Sequence, residues 1–439
     1  MKRLATILLL TLGTASLCAQ PAPALTVDDC LNLALEQHPA LASAQAGVAA
    51  ANEAVGEART PFYPRVDLTA GYHRFQRRAY LPGAITLPGG AQPKLIGPLD
   101  DWNGGLVSRV TLFDFGARQA GLAAAEARRS GADAGVAATR ANLRATVQAA
   151  FHALAIAQDL QQVAAKNLER AEQHHRLADL RQQAGAVPQA DVLRTAATEA
   201  EARLQLITAE SRVRRAAGEL NTAMGRAADT ALTIAQTETL TPPAPVDYTA
   251  AVEQALARRP ELLASNQRTV AAQAAVTAAK AARAPRLNAD ASFGWRDSAW
   301  VPETREWQAG LTIDLPLFDA GGRKRGVARA RAEVAREEAT DANLRLQVRQ
   351  EVWSAHVELE RAWAAIAANE AGVRAAAESL RAVRERYEFG AAIITDLLDT
   401  QTALARTEAS LAEAKGQYRT ARVYFERAVG TGEKPDGKL

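Results

Sequence analysis

The side chains able to do chemistry are few and widely spread along this 439-residue chain, which has six histidines and two cysteines. His174 and His175 are adjacent rather than at metal-ligand spacing, and His38, His73, His152 and His356 fall on separate stretches. There is no phosphate loop, nucleophile elbow or zinc motif. No catalytic, metal-binding or cofactor-binding residue is therefore assigned, no cofactor is expected, and an enzyme is not. The pair that does invite a role is acidic. Asp396 and Asp399 in "ITDLLDT" stand three apart, so on a helix they share one face and point away from the apolar positions Leu397 and Leu404. Such a face is either simply solvated or a source of negative potential wherever copies of it converge.

The elements that would position these residues begin with an export signal. "MKRLATILLLTLGTASLCAQPAPA" has Lys2 and Arg3, an apolar core and then small residues, the layout of a secretory signal peptide. Cleavage is expected after Ala19, with Ala22 or Ala24 as alternatives. Lipidation at Cys18 is disfavoured because Leu17 sits where a small residue is wanted. With Cys18 removed, Cys30 has no intrachain partner. The full sequence is 48% hydrophobic and 23% charged with a net charge of +3, and no basic block stands out, so nucleic acid is not an expected partner. No later apolar run reaches the ~20 residues of a membrane-spanning helix.

The chain is written twice. "EQHPALASAQAGVAAANEAV" aligns with "ARRPELLASNQRTVAAQAAV" at an offset of 221 (Pro39 to Pro260), which also pairs Pro64 with Pro285. "LFDFGAR" and "LFDAGGR" then align at an offset of 205 (Leu112 to Leu317), as do Gly185 with Gly390 and Asp191 with Asp396. The change of offset marks extra Pro- and Gly-rich sequence between about Arg74 and Asp101, read as a long loop. The expected organisation is a signal peptide (1–19), a first repeat (20–226) with strands at about 65–74 and 104–113, and a linker (227–246). A second repeat (247–430) has strands at about 286–296 and 306–315, followed by a tail (431–439).

Those four segments alternate apolar and polar residues with period two. "RVDLTAGYH" places Val66, Leu68, Ala70 and Tyr72 on one face, and "RLNADASFGWR" and "EWQAGLTIDL" repeat the pattern, while "GLVSRVTLF" is the least clean. Length, alternation and terminal aromatics suit strands of a transmembrane barrel, although a half-buried soluble sheet alternates in the same way. Four strands cannot close a membrane barrel, whose smallest members have eight, so the barrel reading requires several chains to pool their strands.

Between the strands the composition is helical. Gly116 to Gly185 and Gly321 to Gly390 each span 69 residues, roughly 100 Å of helix at 1.5 Å per residue. Val352, Leu359, Ile366, Val373, Leu380 and Tyr387 recur every seven residues, as do Leu397, Leu404, Leu411, Tyr418 and Phe425, the signature of an antiparallel coiled-coil hairpin turning near Gly390. At the strand–helix junctions Gly116 and Gly321 permit a turn, and Asp114 and Asp319 are placed to cap a helix start. Pro64 and Pro285 are expected to stop the incoming helices.

The signal peptide, the two copies of helix–strand–strand–helix–helix, the "P-R-[VL]" and "L-F-D-x-G-x-R" junctions and "FGAAIITDLLDTQTAL" resemble the TolC-like outer membrane efflux family. The likeness covers roughly Leu25 to Gly430. It implies an all-α coiled-coil tunnel joined to a transmembrane β-barrel, in a homotrimer with four strands per protomer and twelve in the barrel. It implies residence in the outer membrane of a Gram-negative-type cell, in contact with its lipid, and export in concert with a periplasmic adaptor and an inner-membrane transporter. In that family an acidic ring closes the periplasmic end. The match falls on Asp396 and Asp399, of which three copies supply six carboxylates. Tyr387 and Asp191 match gate links, whereas Ala392 stands where some members have Arg. The turns at Gly185 and Gly390 correspond to the tips that meet the adaptor. Two competing readings are a periplasmic adaptor, which would not need four barrel-like strands, and a structural coiled-coil envelope protein, which would not explain the paired junctions.

Overall fold

The computed structural model describes residues 24–76, 100–235, 240–300, 303 and 305–431. The signal peptide with Cys18, most of the long loop and nearly all of the tail lie outside these residues. Two compact units are present: one takes in residues up to His38, Asn142–Val246 and Ala355–Arg427, the other Pro39–Ala141, Asp247–Ser354 and the C-terminal end.

The first unit is helical. Helix α1 (Val27–Gln37) starts from a capping box in which the Asp29 amide donates to Thr26 Oγ1 at 3.2 Å and the Thr26 amide donates to Asp29 Oδ2 at 2.9 Å. Its Cys30 and Ala34 pack on Val147, Phe151 and Leu154 of α3 (Ala117–Gln183) and on Leu220 of α4 (Gln189–Ala223). Burial in this core pushes the Cys30 thiol up to about 11, so it behaves as an apolar side chain. The stretch read as a linker is anchored where it is described. Leu25 and Ile234 form a parallel bridge, and Tyr418 Oη donates to the Thr241 carbonyl at 2.6 Å.

The second unit carries the sheet. Here α2 (Pro39–Arg59) and α6 (Pro260–Ala281) lead to β1 (Arg65–Arg74) and β3 (Arg286–Asp297). The single helix expected before each first strand is in fact two, α1 then α2 and α5 (Tyr248–Arg258) then α6. The cause is the proline at each helix start, which forces His38 (ψ 125°) and Arg259 (ψ 122°) into extended backbone. Nor do Pro64 and Pro285 themselves end the helices: α2 stops at Arg59 and α6 at Ala281, and the prolines stand immediately before the first strand residue. Arg259 is buried and held by Glu261 at 3.2 Å and Glu351 at 2.6 Å.

With β2 (Asp100–Phe113) and β4 (Arg305–Asp314), the strands form one antiparallel sheet in the order β1-β2-β3-β4, leaving β1 and β4 as open edges. The registers put Leu68 beside Leu106, Leu106 beside Phe293, and Phe293 beside Trp307, so most apolar residues of the four strands share one face, with Val107 on the other beside Asp67 and Ser292. The apolar face is uncovered within the chain: Leu68 and Trp307 are each 74% exposed and Leu311 is 69% exposed. The opposite face carries Asp67, Asn103, Arg109, Asp290, Gln308 and Thr312. Part of the unclean alternation of β2, at Phe113, has a physical source. Thr111 pairs with Asn288 and Phe113 with Leu287, so Leu112 is the extra residue of a bulge that reverses the phase. Strand β2 also begins four residues earlier than the alternation suggested. Among the described residues no helix is long and apolar enough to cross a membrane.

Each strand-to-helix junction is a tight turn with two left-handed residues in succession, Phe115 (φ 52°) and Gly116 (φ 88°), then Ala320 (φ 51°) and Gly321 (φ 82°). The Asp carboxylates cap the helix starts: the Arg118 amide donates to Asp114 Oδ2 at 3.0 Å and the Arg323 amide to Asp319 Oδ2 at 2.8 Å. These amide bonds hold the Asp319 carboxyl below the usual carboxylate range. The first junction is more firmly fixed, because Arg118 also donates to the carbonyls of Pro61 and Leu112 and lies 5.0 Å above the Phe62 ring.

Candidate functional site at the hairpin tips

In the first unit, α3 turns into α4, and α7 (Gly322–Glu388) turns into α8 (Ile394–Val429). Both turns are built by one device. Gly185 (φ 73°) and Gly390 (φ 74°) adopt the left-handed conformation, and the following amides reach back, Ala186 to the Arg181 carbonyl at 2.8 Å and Ala391 to the Arg386 carbonyl at 2.7 Å. A side chain at either glycine would strain the turn.

The heptad residues of α7 and α8 supply the packing behind the second tip. Tyr387 is 3% exposed among Leu380, Ile394, Leu397 and Leu404, with Leu177 of α3 against the same cluster. Asp396 and Asp399 project to the exposed side of α8, while Asp191 is half-buried in the first turn of α4. Asp191 and Asp396 are thus repeat-equivalent carboxylates, each in the first turn of the helix after a tip. Carboxylates there also complement the positive end of the helix dipole.

Two tip residues escaped the sequence reading. Arg181, in the last turn of α3, donates to the backbone carbonyls of Tyr387 at 2.8 Å and Glu388 at 3.0 Å, and its guanidinium lies 4.8 Å from the Tyr387 ring centroid. Arg194 on α4 donates to Thr395 Oγ1 on α8 at 2.7 Å. Within one chain Tyr387 is therefore tied to Arg181 and not to Asp191, and its hydroxyl is buried with no hydrogen-bond partner among the described residues. The signal in the sequence was faint: a basic residue in a helix's last turn is commonplace. Above the tips, the buried Gln401 of α8 donates to Asn167 Oδ1 of α3 at 3.3 Å, and Arg170 pairs with Glu408 at 2.6 Å. His174 is depressed below the usual imidazole range by burial, and His175 contacts Thr195 Oγ1 at 3.1 Å. Among the described residues no group of three or more His, Cys, Asp or Glu is placed to hold a metal ion.

Comparison with known proteins gives a consistent result. A family model described as outer membrane efflux protein matches residues 30–226 and 251–431. Protein CyaE of Bordetella pertussis is 31% identical over 87% of this chain and 80% of its own length. The outer membrane efflux protein BepC of Brucella suis is 26% identical over 98% of this chain and 90% of its own. Among solved structures, the outer-membrane channel OprN superposes with a TM-score of 0.82 at 21% identity, covering 92% of this chain and 90% of that one.

Proposed function

Because the chain belongs to the outer membrane efflux protein family, we propose that it forms a homotrimeric channel through the outer membrane. It receives substrate from an inner-membrane transporter through a periplasmic adaptor and releases it outside. The observation that carries this reading is the sheet, with an uncovered apolar face, a polar opposite face and two open edges. Open edges are not tolerated in lipid. Four strands fall short of the eight in the smallest membrane barrels, and three chains supply twelve. The apolar face then meets lipid and the polar face lines the passage. Pro64, Gly116, Pro285 and Gly321 mark the places where the chain passes between barrel and helices, and the turns at Gly185 and Gly390 present the tips to the adaptor.

At those tips Asp396 and Asp399 ring the periplasmic mouth, with Asp191 beside them and Tyr387 packed behind. Six like charges in a narrow, poorly screened passage favour small cations and bind multivalent ones. The test is single-channel recording of wild type and Asp396→Ala/Asp399→Ala in a planar bilayer at low salt, where screening is weakest. The double variant is expected to lose cation preference and periplasmic-side block by multivalent cations while remaining assembled, since neither residue is buried. Unchanged selectivity and block in a well-assembled variant would make these carboxylates a solvated helix face.

A further inference from the structure

The repeat implies a contact that a single chain cannot display. Arg181 closes the end of a helix to which it does not belong: the Tyr387 and Glu388 carbonyls to which it donates are among the last of α7, which have no partner within their own helix, the Tyr387 carbonyl also accepting from the Gly390 amide of the turn at 3.0 Å. A cation at that end also meets the negative pole of the helix. The residue 205 positions after Arg181 is Arg386, equally placed in the last turn of α7 and followed by the same glycine turn. Its side chain is exposed, and Nη2 lies 3.3 Å from the Ala391 carbonyl of its own turn.

The helix neighbours show where Arg386 would reach. Helix α4 packs on α3 (Arg203 with Glu172), α8 packs on α7 (Tyr418 with Trp363), and α3 meets α8 (Asn167 with Gln401). Exchanging the repeats turns the α3–α8 contact into a contact of α7 with an α4, which a ring of copies supplies between neighbours. We propose that Arg386 clasps the end of α3 in the neighbouring copy, donating to the backbone carbonyls of Gln182 and Gln183, the repeat equivalents of Tyr387 and Glu388. This rests on the trimeric reading above. The two clasps are unequal in kind. Within a chain the guanidinium also stacks on Tyr387, whereas between copies the equivalent residue is Gln182, which offers no aromatic face. Contacts at the tips therefore alternate around the ring between one with an aromatic face inside each chain and one without it between chains.

The test is paired cysteine substitution in the full-length chain with a short bismaleimide. A long arginine side chain separates the two backbones, beyond the reach of a disulfide. Arg181→Cys with Glu388→Cys should link within one chain and leave a monomer-sized band after denaturation. Arg386→Cys with Gln183→Cys should link between chains and give covalent dimers and trimers. The unsubstituted chain, whose Cys30 is buried, is the control. Trimer formation is read separately on unheated gels. Trimers in which the first pair links but the second stays unlinked, or links only within a chain, overturn the clasp alone. A chain that forms no trimer at all overturns the trimeric reading and the clasp with it.

Discussion

Replacing Leu311 by Arg probes which face of the sheet meets lipid, and its size follows from where Leu311 sits. Strand β4 has ten residues, Arg305–Asp314. At ~3.4 Å per residue and a tilt of ~40° it covers about 26 Å of membrane thickness, matching an apolar band of ~25 Å. Its middle falls between Ala309 and Gly310, so Leu311 lies about 4 Å from the midplane along the membrane normal. Arginine there should cost about 2–4 kcal/mol per chain, or about 6–12 kcal/mol per trimer. The next residue, Thr312, lies on the polar face, where its hydroxyl donates to Asp290 Oδ1 at 3.3 Å. Arginine at Thr312 meets that carboxylate and should be far milder. The assay is the folded, trimeric fraction recovered from outer membranes, with urea titration of both variants. Equal losses in the two, or a larger loss at Thr312, would refute the assignment of faces.

Three further outcomes follow from packing and charge. A methyl group added at Gly416 of α8 would overlap Ile156 Cγ1 and Cδ1 of α3, so Gly416→Ala should cost about 1–3 kcal/mol of overpacking, against about 1 kcal/mol gained in helix propensity. Ile156→Ala, which removes both overlapped carbons, should cost less in the Gly416→Ala background than in the wild type in thermal unfolding, and strict additivity of the two changes would contradict the close approach. His152 is buried near Arg419 and Arg422, and burial, then those two charges, depress its imidazole to about 4 from the ordinary 6.5. The unfolded chain thus binds the extra proton between those values. The contribution is complete above pH 6.5 and is lost as pH falls to about 4, amounting to about 3 kcal/mol per chain. His152→Leu should flatten stability over that window in urea titrations at several pH values; an unchanged pH profile would remove His152 as the cause. Replacing the buried Arg259 by Ala removes the cation shared by Glu261 and Glu351, which stay in contact with water, and leaves a void, so it should cost about 1–3 kcal/mol, whereas Arg259→Met should cost less. Comparing the melting temperatures of the two variants checks this, and equal losses would contradict the contribution of the void.

The fold class was legible because two periodicities survive in the sequence, period two in the strands and period seven along α7 and α8, each tied to a face that must be buried or meet lipid. Three features were not legible, for different reasons. A proline at the first position of a helix reads the same whether a helix precedes it or not, so the breaks at His38 and Arg259 vanished into one helical stretch. The bulge at Leu112 put Phe113 out of phase with the alternation of β2 because one extra residue exchanges the faces. Arg181 was missed because its targets are backbone carbonyls 206 and 207 residues away, and backbone groups leave no trace in residue identity. The acidic pair stood out for the opposite reason, since both residues lie within four positions of one another.

Whether three chains pool their strands into one outer-membrane channel is tested most directly by the native mass of the particle extracted from outer membranes. Measured by mass spectrometry from detergent micelles, the particle should contain three copies of the processed chain and survive removal of the detergent as a trimer. A monomeric or dimeric particle, with both sheet edges left unpaired in lipid, would contradict the account.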